Sequence, residues 1–224
     1  MPRAAACGGI AKGRRSATLA VAGAAGLLGL LLGSGHADPS TNAGLMQTGA
    51  AEPRAVIELF TSQGCSSCPP ADQMIAELAV DRSLIAMSVP IDYWDYLGWK
   101  DTLASPRHTA RQRGYAARRG DREVYTPQVV VNGVTQALGS DRKAIEEAIV
   151  VSHARPGTLT VPVKIAAKGD QMEVTISPKD ETGNEGEVWI CALAKAVPVA
   201  IARGENRGRT VTYHNVVRRW VRLG

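Results

Sequence analysis

The chain has 224 residues, of which 45% are hydrophobic and 21% are charged. This composition is typical of a folded globular protein, since it is too apolar for a disordered chain and too polar for a protein that crosses a membrane many times. The formal net charge of +5 favours a nucleic-acid or membrane partner only if the folded part of the chain carries it.

Most of that charge lies in an N-terminal segment that is typical of an export signal. A basic, acid-free start is followed by an apolar stretch from Leu19 to Leu32 and by small residues at the −3 and −1 positions of a cleavage site before Asp38. The apolar stretch is short for a membrane span. We therefore expect residues 1–37 to be a signal peptide and the protein to be periplasmic or secreted, with an uncleaved anchor as the main alternative.

Removal of residues 1–37 changes the charge and the cysteine count. The remaining chain has 22 basic and 21 acidic residues, a net charge of +1. Electrostatics then no longer favour a nucleic-acid partner, and no membrane partner is expected after signal removal. Three cysteines remain, Cys65, Cys68 and Cys191. Outside the cytosol thiols can be oxidised, and an odd number leaves one sulfur without an intrachain partner.

Residues 38–53 are small and polar and are expected to form a flexible lead, after which strands and helices alternate. In chain order, apolar runs, caps and turn residues predict a strand at 54–60, a helix from about Cys68 to Val80, a strand at 84–91, a helix from Ser105 to Gly120, a strand at 129–131, a hairpin turn at Asn132-Gly133, a strand at 134–138 and a helix capped by Ser140 or Asp141.

This alternation predicts an α/β domain over residues 54–154, in which an aromatic and acidic insertion occupies residues 92–104. After the linker Arg155-Pro156-Gly157 the hydrophobic period becomes two. The change of period predicts a small β-rich module over residues 157–224.

The motif that carries chemistry is Cys65-Ser66-Ser67-Cys68, between the first buried strand and its helix. Two cysteines at this spacing can form a small disulfide ring, and a thiolate at a helix start is stabilised by the helix dipole and by unpaired backbone N–H groups. Two prolines follow the motif and suit only a first helical turn. Cys65 is then expected to be exposed as the attacking sulfur, and Cys68 to resolve the mixed disulfide.

Thr126-Pro127 precedes the strand at 129–131. In thioredoxin-like folds a cis proline at this point faces the Cys-x-x-Cys motif and presents the preceding backbone to a substrate chain. The order of these elements predicts a thioredoxin-like mixed sheet flanked by helices: strand, motif, helix, strand, Thr-Pro, hairpin and helix.

Three segments also resemble the signature of an exported thioredoxin-like family that is known as a domain of unknown function. They are residues 58–72, with Cys-Ser-Ser-Cys-Pro-Pro, residues 92–101, with Asp-Tyr-Trp-Asp, and residues 125–133, with Tyr-Thr-Pro-Gln. The resemblance covers about residues 54–224 and implies the fold and export, but no reaction or substrate. The chain ends at Gly224, earlier than the resemblance implies, so the β-rich module is expected to lack a final strand or two.

Glu58 interrupts the first buried strand, where a carboxylate is rare unless it is paired or functional. We expect it to lie beneath the cysteines and to accept the proton of Cys68 during exchange. The alternative is a hydrogen bond to a neighbouring loop or to an arginine.

Four of the ten aromatic residues lie in the insertion, namely Tyr93, Trp94, Tyr96 and Trp99. If these side chains are exposed, they could form one wall of a substrate-binding groove beside the cis proline. The alternative is that they anchor the insertion to the core.

Together these residues predict an exported thiol–disulfide oxidoreductase that needs no cofactor and takes a protein or small-molecule thiol or disulfide as its partner. Its catalytic residues would be Cys65, Cys68, Thr126, Pro127 and Glu58. Two alternatives stay open: a module in which the reduced cysteine pair holds a soft ion such as Cu(I), and a non-catalytic binding protein on a thioredoxin-like scaffold. No metal site is assigned. The third cysteine, at position 191, is expected to be buried and inert.

Overall fold

A computed structural model describes residues 17–20, 52–169, 171–177 and 186–223. The described residues divide into a larger compact unit, formed by those at 52–160 and 186–223, and a smaller one, formed by residues 17–20, 161–169 and 171–177. Residues 38–51 and most of the predicted signal peptide lie outside the described residues, so the flexible lead and the export signal stay predictions.

The described residues form strands, three α-helices and a short 3₁₀ helix at Asp95–Leu97. In chain order the strands and α-helices are β1 (Ala17–Ala20), β2 (Ala55–Thr61), α1 (Pro69–Leu78), β3 (Leu84–Pro90), α2 (Pro106–Arg119), β4 (Gln128–Val131), β5 (Thr135–Leu138), α3 (Arg142–His153), β6 (Val163–Lys168), β7 (Gln171–Ile176), β8 (Trp189–Ala200) and β9 (Thr210–Arg222). The elements predicted for residues 54–154 are confirmed, with ends that differ by a few residues.

The smaller unit contains an antiparallel sheet of strand order β1-β7-β6. β6 and β7 confirm the alternating strands predicted after the linker. No helix in the described parts of the chain is both long and apolar enough to span a membrane.

The larger unit is built on a six-stranded mixed sheet of strand order β5-β4-β2-β3-β9-β8. β2 runs parallel to β3 and antiparallel to β4, and β9 joins β3 in parallel through the pair Ser88 and Val216. The predicted fold class is confirmed: a mixed α/β sheet flanked by helices, with a β-rich C-terminal region. The predicted division at residue 157 is wrong for β8 and β9, which extend the main sheet because the buried side chains of Val216 and Val217 belong to its core.

The two faces of the main sheet are covered by different helices. On one face Leu59 packs with Ile75 of α1 and Ile145 of α3. On the other face Phe60 meets Tyr115 of α2 edge to face, with ring centroids 6.2 Å apart. Successive side chains of a strand alternate between the faces. Position 58 therefore lies on the α2 side, opposite to α1.

The ends of α2 and α3 follow from their caps. The Ser105 side chain accepts a hydrogen bond from the Arg107 N–H, and Gly120, with φ of 82°, ends α2. Asp141 caps α3 by accepting from the Ala144 N–H. These caps are the ones that the sequence predicted.

Candidate functional site

The turn after β2 holds a disulfide between Cys65 and Cys68, whose Cα atoms are 5.4 Å apart. We call residues 62–68 the cysteine turn. Its backbone is closed by hydrogen bonds from the Cys65 N–H to the Ser62 carbonyl and from the Cys68 N–H to the Cys65 carbonyl. Ser67 Oγ lies 3.4 Å from Cys65 Sγ. At this distance the hydroxyl can donate to a Cys65 thiolate when the pair is reduced.

α1 begins directly after Cys68, as predicted. The two prolines that open it have no N–H, and the N–H groups of Ala71 and Asp72 both donate to the Cys68 carbonyl, over 2.8 and 3.1 Å. The unpaired donors expected in this first turn are therefore not free to stabilise a thiolate. For Cys65 the helix dipole and the Ser67 hydroxyl remain.

Cys65 is buried, contrary to the prediction that it is exposed. Only 1% of its surface is accessible, and Cys68 is completely buried. The loop between β8 and β9 (residues 201–209) lies on the cysteine turn and is hydrogen-bonded to its backbone. A polar loop far along the chain thus contacts the segment that the local sequence placed at the surface.

Three hydrogen bonds join the β8–β9 loop to the cysteine turn. Asn206 Nδ2 donates to the carbonyl oxygens of Gln63 and Cys65, over 3.0 and 2.8 Å. The Ser66 N–H donates to the Glu205 carboxylate over 3.1 Å. The loop therefore binds the backbone of the turn on both sides of the first cysteine.

Asp72 is a buried carboxyl group one helical turn after Cys68, on the same side of α1. Its Oδ1 accepts a hydrogen bond from the Thr61 hydroxyl over 2.7 Å, whereas its Oδ2 has no hydrogen-bond partner among the residues that the structure describes. Burial, with a smaller contribution from Asp101, raises the pKa of Asp72 to about 8. At neutral pH the group is therefore mostly protonated and can act as a proton donor.

Glu58 is held by α2 and does not lie beneath the cysteines, so its predicted position is wrong. Arg111 donates to both carboxylate oxygens, over 2.6 and 2.9 Å, and the Tyr115 hydroxyl donates to Oε1 over 2.5 Å. Strand alternation turns position 58 towards α2 and away from α1. The alternative interpretation, pairing with an arginine, is confirmed. The buried carboxyl group on the helix of Cys68 is Asp72.

The Thr126–Pro127 peptide bond is cis, as predicted. Pro127 and Ala71 meet at Gly139, where a Cβ atom would lie 3.1 Å from Ala71 Cβ and 3.2 Å from Pro127 Cβ. The proline turn is therefore next to the first turn of the helix that follows Cys68.

The insertion at 92–104 fixes the shape of the cysteine turn through Gln63, which is completely buried. The Gln63 side-chain carbonyl accepts from Trp99 Nε1 over 2.8 Å, and its backbone N–H donates to Asp101 Oδ2 over 2.8 Å. Asp101 also accepts the Leu103 N–H through Oδ1. Burial raises the pKa of Asp101.

The four aromatic residues predicted to bind substrate have different surroundings. Trp94 Nε1 donates to the Thr126 hydroxyl over 2.7 Å, and Trp99 contacts the cysteine turn as described above. Tyr93 is partly buried against the core on the α2 face. Tyr96 is 76% exposed and stacks on Trp94, with ring centroids 6.2 Å apart. Three of the rings anchor the insertion, and a substrate-binding role stays a prediction.

Cys191 carries a free, partly buried thiol on β8. Burial raises its pKa to about 11, so it stays protonated at neutral pH. Across residues 17–20, 52–169, 171–177 and 186–223, no group of three or more His, Cys, Asp or Glu side chains is arranged to hold a metal ion.

Sequence reasoning missed four residues of this site: Gln63, Asp72, Asp101 and Asn206. Helix spacing offered a signal for Asp72, because a carboxyl group four positions after Cys68 shares its side of the helix. The sequence contained no comparable signal for Asn206, which is 141 positions from Cys65.

Comparisons with known proteins identify relatives of the chain. The model of a family described as "Protein of unknown function (DUF1223)" matches residues 56–224. The crystal structure of a protein from Agrobacterium tumefaciens, a structural-genomics target, is 33% identical, with a TM-score of 0.65, and the match covers 77% of this chain and 73% of that chain. No curated protein matches the sequence. The relatives do not assign a role to any residue of the site.

Proposed function

The chain belongs to the DUF1223 family of proteins of unknown function, and on that premise we propose that it is an exported thiol–disulfide oxidoreductase that works through Cys65 and Cys68. The observation that carries the proposal is the Cys65–Cys68 disulfide, with the buried carboxyl group of Asp72, whose pKa is raised by burial, one turn further along α1. A ring between residues three apart constrains the unfolded chain little. Stabilisation alone is therefore a weak reason for this pair.

In the proposed reaction a thiolate of the partner attacks Cys65 Sγ. A new sulfur–sulfur bond forms, the Cys65–Cys68 bond breaks, and its electron pair goes to Cys68 Sγ. The carboxyl proton of Asp72 neutralises the leaving sulfur. In the second step a second thiolate of the partner attacks the partner sulfur of the mixed disulfide, and Cys65 leaves as a thiolate, so the partner becomes a disulfide and the protein a dithiol. In the opposite direction the Cys65 thiolate of the reduced protein attacks a partner disulfide, the Asp72 carboxylate takes the proton of Cys68, and the Cys68 thiolate resolves the mixed disulfide.

The turn at Thr126-Pro127 is proposed to position the partner. The Thr126 hydroxyl is occupied by Trp94, so the backbone of the turn is what a partner would contact. Tyr96 stacks on Trp94 and is exposed, which supports a role for its ring in binding a protein or small-molecule thiol.

The proposal is tested first with the wild-type mature chain. We expect it to catalyse the reduction of insulin disulfides by dithiothreitol, and we expect the Cys65–Cys68 couple to have a reduction potential above about −300 mV, the range of exchangeable disulfides. A much lower potential, together with no reduction of insulin, would contradict the proposal and identify the bond as structural.

Asp72→Asn is expected to slow the reduction of the disulfide at neutral pH by about 10²-fold, because asparagine cannot give a proton to Cys68. The difference from wild type should shrink above about pH 8, where the wild-type carboxyl group has also lost its proton. The measurement is the rate of reduction between pH 5 and pH 10. Glu77→Gln changes an exposed carboxyl group of the same helix and should leave the pH profile as it is.

Asp72→Asn is also expected to change the way in which the free energy of unfolding depends on pH. Below about pH 4 the folded and unfolded chains both hold the Asp72 proton, whereas between about pH 4 and pH 8 only the folded chain holds it. The free energy of unfolding should therefore fall as pH rises through this window, by up to about 1.4 kcal/mol per pH unit. Urea denaturation should show a flatter pH dependence for Asp72→Asn, and equal slopes in both proteins would exclude a buried, protonated carboxyl group.

A non-catalytic binding protein on the same scaffold is the second candidate, and the burial of Cys65 and Cys68 favours it. In that case the disulfide only stiffens the cysteine turn. A variant with both cysteines replaced by serine would then bind its partner normally. If the protein is an oxidoreductase, the same variant would form no mixed disulfide with its partner.

A further inference from the structure

The β8–β9 loop (residues 201–209) is hydrogen-bonded to the turn that holds the disulfide, which the proposed function requires to react. Cys65 is 1% exposed and Cys68 is completely buried. We propose that this loop is a lid over the disulfide, and that it must open before a thiol can attack Cys65. This inference rests on the proposed function, because a lid regulates only a site that reacts.

Asn206 is the residue that holds the lid closed. It is 1% exposed, and its Oδ1 accepts a hydrogen bond from Arg209 Nη1 over 3.1 Å. This bond orients the amide so that Nδ2 faces the carbonyl oxygens of Gln63 and Cys65. All the polar atoms of the Asn206 side chain are therefore engaged in the closed arrangement.

The rest of the loop is attached at its base and carries hinges. The Ile201 N–H donates to the Arg209 carbonyl over 2.9 Å, and the Gly208 N–H donates to the Ile201 carbonyl over 2.8 Å. Gly204 and Gly208 have φ angles of 77° and 81°, which glycine adopts at little cost. The base can thus stay fixed while the segment that carries Asn206 moves.

Opening the lid exchanges few interactions. The Asn206 amide, the Glu205 carboxylate and the backbone groups of the cysteine turn would each replace a protein hydrogen bond by one to water. Such exchanges have small net free energies, so a minor open population is accessible at equilibrium. The rate of disulfide reduction should then be proportional to the fraction of time that the lid spends open.

The test is the rate at which a phosphine reduces the oxidised protein. Phosphorus attacks Cys65 Sγ, Cys68 leaves as a thiolate, and water converts the phosphonium to the phosphine oxide and leaves two thiols. After alkylation, mass spectrometry counts the free thiols. We expect Asn206→Ala to be reduced about tenfold faster than wild type, because two hydrogen bonds of the closed state are lost. The control is Arg207→Ala, an exposed residue of the same loop, which should stay within about twofold of wild type.

Glu205→Ala provides a second variant if Asn206→Ala does not fold, since Glu205 is exposed and contributes one bond. It should accelerate the reduction by a few-fold. Wild-type rates in folded variants would overturn the lid. Chemical reduction needs no catalysis, so the two proposals can fail separately. If the loop variants are reduced faster by the phosphine but the protein does not reduce insulin, only the oxidoreductase proposal is contradicted. If the protein reduces insulin but the loop variants react with the phosphine at the wild-type rate, only the lid proposal is contradicted.

Discussion

Replacing Cys65 by serine is expected to reduce disulfide exchange to the uncatalysed background, a loss of about three orders of magnitude or more. The hydroxyl of serine cannot attack a disulfide and cannot form one with Cys68, so the first step of the proposed reaction cannot occur. Loss of the disulfide itself costs about 2 kcal/mol for so short a loop, so the variant should remain folded. Insulin reduction measures the activity, and circular dichroism checks the fold.

Cys68→Ser and Cys191→Ser are the matched comparisons for this result. Without Cys68 the Cys65 thiolate can still attack a partner disulfide, but the mixed disulfide cannot be resolved, so a covalent complex with the partner should accumulate on a non-reducing gel. Cys191→Ser removes the partly buried thiol on β8 and should keep full activity. Activity in Cys65→Ser that equals wild type would rule out Cys65 as the attacking sulfur.

The predictable part of this site is the part that depends on neighbours in the chain. The apolar run of β2, the two prolines after Cys68 and the Thr126-Pro127 turn each specify their own backbone, and the structure has all three as predicted. Cys65 is buried, and its carbonyl oxygen accepts a hydrogen bond from Asn206, 141 positions away. A short polar loop has no pattern that indicates which part of the chain it will contact, so the exposure of Cys65 could not be judged from its neighbours in the sequence.

The roles of Glu58 and Asp72 show the same limit at closer range. A buried carboxylate in β2 was recognisable from the sequence, but its partner was not, because Arg111 is 53 positions away and on a helix whose face of the sheet the sequence did not specify. β9 is a similar case, since a period of two predicts a strand but not the strand with which it pairs. Its parallel pairing with β3 places β8 and β9, the last strands of the predicted C-terminal module, in the main sheet.

Arg111→Met is expected to lower the free energy of unfolding by about 3 kcal/mol, because it leaves the Glu58 carboxylate buried without its cation. Glu58 is 3% exposed, and Arg111 pairs with both of its oxygens. The Tyr115 hydroxyl would be the remaining donor. The expected loss lies at the low end for a broken buried pair, since the Arg111 side chain is 37% exposed and water can partly replace it. Urea denaturation at neutral pH measures the change.

Arg142→Met is the control, because it removes a guanidinium from Glu77 in a pair whose side chains are both about half exposed, and it should cost less than about 1 kcal/mol. The double variant Glu58→Met/Arg111→Met leaves no buried charge and should recover most of the loss. Equal costs for the two single variants would mean that water reaches Glu58 in the folded protein. Since this pair lies across the sheet from α1, disulfide exchange per folded molecule should be unchanged in the double variant, whereas a proton-carrying role for Glu58 requires that it fall.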